Sequence, residues 1–337
     1  MIRNDTELLA CIRSIHASIR DAIITACEQT AVEWLAVPVA QEAGDTIFAI
    51  DRISEAVLLE RFGALAKEWS CVLIAEGLGH TGQIELPRGI SPDQAELRII
   101  VDPIDGTRGL MYQKRPAWIL TGVALNKGPS TSLADVELAV MTEIPLVKQH
   151  LCDSLWAVAG AGIEGERYNR LTGTTQPLAP RPSSVPNIAH GYGGLARFFP
   201  GARDVLAAIE EKLIERVLGP QLPGIALAFE DQYISSGGQL YELIMGHDRW
   251  IADLRPLVEI ILQQRGKRLG MCCHPYDLCT ELIAREAGVI VTNVDGRPLD
   301  ALLDVTTEVA WIGYANPAIA TRVAPVLNAL LVEHGLQ

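Results

Sequence analysis

The fold of this chain turns on one stretch, Leu97-Arg98-Ile99-Ile100-Val101-Asp102-Pro103-Ile104-Asp105-Gly106-Thr107-Arg108-Gly109. Residues 97–101 are apolar and rich in β-branched side chains, which predicts a buried strand. The strand ends in two aspartates three residues apart, and Pro103 fixes φ between them. Gly106 frees the backbone, and Thr107 follows with a hydroxyl. Asp105, Gly106 and Thr107 are placed to open a helix, whose first N–H groups lack intrahelical acceptors and favour an anion. Two neighbouring carboxylates repel each other unless a cation lies between them, and Mg²⁺ takes oxygen ligands of this kind. The combination points to metal-assisted phosphoryl chemistry. The plain alternative is a turn in which Asp102 caps the chain and Asp105 is solvated.

Around this stretch lie 337 residues, of which 49% are hydrophobic and 20% charged. Those fractions support a sizeable core and exclude disordered and low-complexity classes. Lys plus Arg is 28 against 41 Asp plus Glu, a net charge of −13. A chain this acidic is a poor binder of nucleic-acid polymers or anionic membranes. A small anionic substrate remains compatible with it, because a bound metal reverses the local field. No apolar run is long enough to span a bilayer. The first residues lack a signal-peptide core and lead into Leu8, Ile12, Ile15, Ile19 and Ile23, one face of an amphipathic helix. The seven cysteines show no C-x-x-C pair, so reduced thiols and a cytoplasmic location are expected.

Pro177, Pro180, Pro182 and Pro186 interrupt the pattern near mid-chain and mark a boundary between 1–185 and 186–337. Before it, helices are expected over 6–30 and 52–67, and strands over 71–75, 97–101, 118–125, 136–142 and 155–159. After it, helices are expected over 204–218, 238–246, 256–264, 277–287 and 317–333, with strands at 225–229, 289–292 and 310–313. Clustered strands followed by alternation suggest an α+β half joined to an α/β half.

The string Asp102-Pro103-Ile104-Asp105-Gly106-Thr107 resembles the central signature of the inositol monophosphatase family, within the Mg²⁺-dependent, lithium-sensitive phosphatases that include fructose-1,6-bisphosphatase. Other segments agree in order. Asp45-Thr46-Ile47-Phe48-Ala49-Ile50-Asp51 resembles the family's D-x-x-T-x-x-D, with Phe48 in place of Thr. Ile74-Ala75-Glu76-Gly77 matches a strand end that usually reads G-E-E, with Gly77 in place of the second Glu. Residues 155–162 resemble the family's strand and glycine turn, and residues 236–248 its helix ending in G-x-A-D. His274-Pro275-Tyr276-Asp277 followed by Glu286-Ala287-Gly288 resembles the second signature, with Tyr276 in place of Trp. The resemblance covers most of the chain and is looser in the second half, where an insertion separates Asp248 from Asp277.

The resemblance implies a layered α/β/α/β/α sandwich with the metal site between its halves. It implies two or three Mg²⁺ ions, with Mn²⁺ as a substitute and Li⁺ as an inhibitor. Glu76, Asp102 and the Ile104 carbonyl would hold one ion; Asp102, Asp105 and Asp277 would hold a second. Glu76 and Thr107 would orient a metal-activated water, with Asp51 standing behind Thr107. The Gly106 and Thr107 N–H groups would bind phosphate, and Asp253 the substrate's hydroxyls. Arg108, directly after this loop, reads from its own chemistry either as a contact to a second phosphate or a carboxylate or as a surface residue. Ser235 and Ser236 fall in a substrate-facing turn or cap a helix. The expected activity is hydrolysis of a small phosphorylated polyol, sugar or nucleotide, and the expected assembly a homodimer. Taken singly, each acid has a duller role: Asp51 and Asp277 as helix caps, Glu76 as an exposed strand-end residue, Asp45 as a turn residue beside Gly44.

Two rival motifs fail on context. Gly160-Ala161-Gly162-Ile163-Glu164-Gly165 reads G-x-G-x-x-G, yet no helix and no acid about 20 residues on follow it. Cys272, Cys273, His274, Asp277 and Cys279 crowd together and invite a zinc reading, without a second ligand pair of zinc-finger spacing. A catalytically weak, ligand-binding or regulatory protein on the same fold is the remaining alternative, motivated by Gly77.

Overall fold

The computed structural model describes residues 1–42, 45–79, 81–220 and 223–337, with side chains described outside 40–47. Gly44, and the side chain of Asp45, the expected turn residue, lie outside that description. The chain opens with helix α1 (Asp5–Gln29), a helical turn α2 (Val32–Leu35), a hairpin of β1 (Pro38–Glu42) and β2 (Asp45–Phe48), and helix α3 (Ala49–Leu65). Eight strands then build one sheet: β3 (Cys71–Ile74), β4 (Gln83–Leu86), β5 (Leu97–Asp105), β6 (Ala117–Leu125), β7 (Val136–Ile144), β8 (Leu151–Val158), β9 (Gly162–Asn169) and β10 (Thr174–Pro177). Their order is β10-β9-β8-β7-β6-β5-β3-β4. A short helix, α4 (Thr107–Met111), links β5 to β6.

The second half runs β11 (Gly191–Leu195), α5 (Arg203–Leu218), β12 (Ala228–Phe229), α6 (Ser236–Ile244), β13 (Asp248–Asp253), α7 (Glu259–Gln264), α8 (Glu281–Glu286), β14 (Ile290–Thr292), β15 (Trp311–Tyr314) and α9 (Pro317–Glu333). Its five strands are ordered β12-β11-β13-β15-β14.

Burial explains the stacking. Leu8, Ile12, Ile15, Ile19 and Ile23 recur every three or four residues along α1 and are all buried. They pack with Leu58 and Phe62 of α3 against one face of the eight-stranded sheet. The sheet's other face, with Ile100, Trp118 and Leu120, shares a core with Leu240 and Leu243 of α6, Leu282 and Ile283 of α8, and Trp250 and Trp311 of the second sheet. Helices α5 and α9 cover that sheet's far side through residues such as Leu213 and Leu327. The layers are therefore α/β/α/β/α, and the middle helices are buried between two apolar sheet faces. No helix among the described residues is long and apolar enough to cross a membrane.

Several expected elements differ. The helix expected over 277–287 is split: a 3₁₀ turn (Pro275–Leu278) is followed by α8, which begins only at Glu281. The helix expected over 52–67 starts three residues earlier, at Ala49, so Asp51 lies inside its first turn rather than at its cap. Strands β1, β2, β4, β9, β10, β11 and β13 lie where no strand is expected from the sequence. β9 and β10 have no fully buried position, so they carry none of the apolar alternation that marks a half-buried strand.

Candidate active site

Strand β5 is the scaffold of the site. Its first five residues are buried. It pairs with β6 in regular register up to Asp102↔Leu120, then shifts before Asp105↔Trp118. In a regular strand residues three apart face opposite sides of the sheet. The irregularity at Pro103-Ile104 removes that alternation, as bulges do when they re-aim a side chain. Asp102 and Asp105 are thereby turned toward a common point. Each offers one carboxylate oxygen to a group with Asp277 in which all three oxygens lie within 4.8 Å of one another.

Asp105 is fixed from the second half of the molecule. Its Oδ2 accepts the Ser235 hydroxyl at 2.8 Å and the Gly237 N–H at 2.6 Å, and its Oδ1 accepts the Ser236 N–H at 3.3 Å. These donors form the start of α6, where Ser235 is also the N-cap and accepts the Gly238 N–H at 2.8 Å. One serine thus closes a helix and holds a carboxylate across the core. Burial pushes the Asp105 carboxyl up to about 6, against the pull of the α6 donors and of Arg255.

Asp277 sits within the 3₁₀ turn and accepts the His274 N–H at 2.6 Å, so it closes that turn while offering its carboxylate to the cluster. Asp102 accepts the Ile104 N–H at 2.9 Å. Burial and the mutual repulsion with Asp105 hold the Asp102 and Asp277 carboxyls well above the usual range, and Glu76 adds to both shifts. Glu76 lines the same cleft but stands outside the tight group of three. Three crowded carboxylates with raised proton affinity are the donor set of a hard divalent cation. Among the described residues no cysteine or histidine joins the group.

Thr107 begins α4, with Gly106 at φ +96° as the residue before it. A Cβ at Gly106 would come within 3.1 Å of Ser235 Cβ and 3.2 Å of the Ile234 carbonyl oxygen. Glycine is therefore needed for both its angle and its closeness to α6. The Thr107 hydroxyl lies 2.8 Å from the Ile104 carbonyl oxygen and 3.2 Å from Asp51 Oδ1. Asp51 in turn accepts the Phe48 N–H at 2.7 Å, which locks its carboxylate toward Thr107. Asp51 therefore reaches the site through Thr107, while closing the first turn of α3.

Arg108 lines the cleft with its guanidinium 5.4 Å from the Phe48 ring centroid and its Nη1 3.5 Å from Met271 Sδ. Asp253 corrects the expectation of a hydroxyl-reading acid. It is fully buried and its carboxylate is taken up by Arg255, whose Nε lies 2.8 and 2.9 Å from its two oxygens. Arg255, two residues on, is what lines the cleft. The cue was the Asp253-x-Arg255 spacing, which lets an acid fold back on the base, but it does not say which of the two faces outward.

The glycine turn at 160–162 is closed by the protein itself: Glu286 accepts the Gly160 and Gly162 N–H groups at 2.9 and 3.0 Å. That carboxylate occupies the place an anionic cofactor would need. All seven cysteines are free, and burial pushes the Cys272 thiol up to about 12, which keeps it protonated.

No family model matches the sequence and no curated protein matches it. Solved structures do. Leishmania major fructose-1,6-bisphosphatase in holo form is 15% identical over 98% of this chain and 95% of that one, with a TM-score of 0.69. The extragenic suppressor protein suhB of Bartonella henselae is 13% identical over 95% of this chain and 98% of that one, with a TM-score of 0.63. A Pyrococcus horikoshii protein with similarities to inositol-1 monophosphatase is 15% identical over 96% and 98%, with a TM-score of 0.61. Nearly whole chains superpose while roughly six residues in seven differ, so what is shared is the layer order and its connections. The chain has the fold common to the inositol monophosphatases and fructose-1,6-bisphosphatases.

Proposed function

We propose that the chain is a magnesium-dependent phosphomonoesterase acting on a small phosphorylated polyol, sugar or nucleotide. The observation that carries this reading is the carboxylate group of Asp102, Asp105 and Asp277, within 4.8 Å and beside the start of α4. Asp102, Asp105 and Asp277 would hold the ions, with Glu76 and the Ile104 carbonyl at the rim. Mg²⁺, when bound, supplies the charge that polarises a phosphoryl oxygen. The N–H groups at Gly106 and Thr107 would receive the phosphate. The single Thr107 O–H donates its hydrogen bond to Asp51 or to the Ile104 carbonyl. The hydroxyl lone pairs are then left to accept a hydrogen bond from a water, which aims that water's oxygen at phosphorus. Related folds have been solved with inositol monophosphate and with 2'AMP bound, which supports small phosphate esters as the class.

Gly77 favours a second reading, a weakly active ligand-binding protein. It occupies φ +76° with open space around it and no carboxylate, so one ligand expected of an accessory ion is missing. Phosphate release from inositol phosphates, sugar bisphosphates and 3'-phosphoadenosine-5'-phosphate, with and without Mg²⁺ and Li⁺, separates the two. Turnover that needs Mg²⁺ is the expected result. Folded protein that binds these esters and releases no phosphate establishes the second.

A further inference from the structure

Helix α6 stands on the eight-stranded sheet with a carboxylate under each end. Its first residues donate to Asp105 on β5. Near its other end the Tyr241 hydroxyl donates to Asp153 Oδ2, on β8, at 2.5 Å. The two acids belong to one row across the sheet. Asp105 pairs with Trp118, Trp118 with Glu143, and Asp153 with Arg167. The Glu143 carboxylate closes the remaining gap by accepting the Asp153 N–H at 3.0 Å. From β5 to β8 is about 14 Å at the usual strand spacing. The rise from Ser235 to Tyr241 is about 9 Å, so the helix and the Tyr241 side chain together span the row.

The end at Asp105 is a pivot. A Cβ at Gly237 would lie 2.6 Å from Leu120 Cδ2, and one at Gly238 2.4 Å from the Tyr233 ring, so the helix rests there directly on its neighbours. A helix pressed down at one point can still swing about it. Two contacts of Tyr241 remove that freedom. Its ring centroid lies 4.5 Å from that of Trp118, the strand neighbour of Asp105. Its hydroxyl meets an acid that is itself fixed. Asp153 is buried, and Arg167 holds both its oxygens, through Nε at 2.6 Å and Nη2 at 2.7 Å. A hydrogen bond to an ionised acceptor is about twice as strong as a neutral one, and the paired guanidinium adds direction. None of Tyr241, Asp153 and Arg167 lines the cleft.

We propose that Tyr241, held by Asp153 and Arg167, positions the α6 donors and through them the Asp105 carboxylate, so that the cleft's affinity for divalent ions is set in part from outside it. This rests on the metal-dependent phosphatase reading and adds three positioning residues to it. Groups that hold a ligating carboxylate typically matter about 10–100-fold in metal affinity. A swing of α6 shifts three such groups at once, the Ser235 hydroxyl and the Ser236 and Gly237 N–H.

The test is Mn²⁺ titration calorimetry on the metal-free full chain, with urea unfolding beside it. Tyr241→Phe is the informative variant, because it removes only the hydroxyl and leaves Asp153 paired with Arg167. It should weaken Mn²⁺ binding at least fivefold. Ile209→Val, in the buried face of α5, controls for general loosening. It should lower the urea midpoint and leave Mn²⁺ affinity unchanged. Tyr241→Phe and Ser235→Ala act on Asp105 through one helix end, so the double variant should lose less affinity than the two single losses multiplied. Tyr241→Phe with wild-type affinity, an equal loss in Ile209→Val, or losses that simply multiply overturns the clamp and leaves the metal reading standing. A wild type that binds no Mn²⁺ overturns the metal reading, and the clamp with it.

Discussion

The Asp105 carboxylate lies 2.8 Å from the Ser235 hydroxyl, across the boundary between the eight-stranded sheet and the helix layer behind it. A carboxylate from one half of the molecule is thus held by the helix start of the other. Ser235→Ala removes this donor and the N-cap of α6 together. Loss of a hydrogen bond to a buried charged group costs about 2 kcal/mol. Asp105 also loses a group that favours its ionised form, so its proton affinity rises beyond about 6. Urea unfolding should show the lost stability, and calorimetry should show weaker Mn²⁺ binding near pH 6.5. Wild-type values in both would detach Ser235 from the site.

Asp102→Asn separates function from stability. Asp102 is buried beside Asp105 and Asp277, and their repulsion raises its proton affinity. Replacing it with a neutral amide relieves that repulsion, so the metal-free variant should melt higher than metal-free wild type. The same change removes a ligand, so Mg²⁺ should no longer raise the melting temperature and phosphate release should stop. A variant that turns over at the wild-type rate would falsify the metal assignment.

Much of this site is legible in the sequence because it is local. The run 97–109 contains the strand, both aspartates, the proline that prevents a regular ladder and the glycine that precedes α4. What is not legible is which of two neighbours faces the cleft. Asp253 and Arg255 are both near a strand end, and only packing against Phe198 and Met271 decides that the arginine faces outward. The same holds for β9 and β10. Their polar residues make a strand because Asp153 and Tyr168 neighbours on β8 and β9 pair with them, as in Asp153↔Arg167 and Tyr168↔Thr175. Propensity carries no such information.

Metal binding should depend on pH in a defined direction. Asp105 titrates near 6 in the folded protein, against about 3.8 in an unfolded chain. Between those values the folded state holds the extra proton, so this group makes the metal-free protein less stable as pH rises through the window. Divalent ions need the deprotonated form. The Mg²⁺-induced rise in melting temperature should therefore be small at pH 5 and grow through pH 6 to 7. A rise that is flat from pH 5 to 8 would place the ions elsewhere.

His16 sets an acid limit of opposite sign. It is buried on α1, with Nδ1 3.0 Å from the Thr142 hydroxyl and Nε2 2.8 Å from the Thr121 hydroxyl. Burial, and to a lesser degree Arg20, pushes it down to about 3. Between pH 6.5 and 3 the unfolded chain takes up a proton that the folded state refuses. Stability from this group falls as pH falls, by about 1.4 kcal/mol per unit in mid-window. His16→Gln should flatten the acid limb of a stability–pH curve by about one proton, read from urea midpoints between pH 6 and 4. An unchanged slope would mean that other groups govern acid unfolding.

Gly122 ties the sheet to the last carboxylate. A Cβ there would lie 2.6 Å from the Cys279 carbonyl oxygen and 3.1 Å from Cys279 Cβ. The nearest clash is with backbone, so no side-chain rotation relieves it. Cys279 follows Asp277 by two residues, directly after the 3₁₀ turn that presents that carboxylate. Gly122→Ala must push this segment off β6, at about 1–3 kcal/mol for overpacking, and move Asp277 away from Asp102. Mn²⁺ affinity should fall at least tenfold. Gly63→Ala is the matching control, because it lies in helix α3 with nothing within 4 Å of the added carbon. Alanine there should stabilise by about 0.5–1 kcal/mol and leave metal affinity unchanged. If both variants bind Mn²⁺ like wild type, the position of the 275–278 turn against β6 does not control the site. If only Gly122→Ala loses affinity, a glycine in the middle of a buried strand is there for the chemistry two residues before its contact, which is what an isolated strand glycine marks when another backbone approaches it.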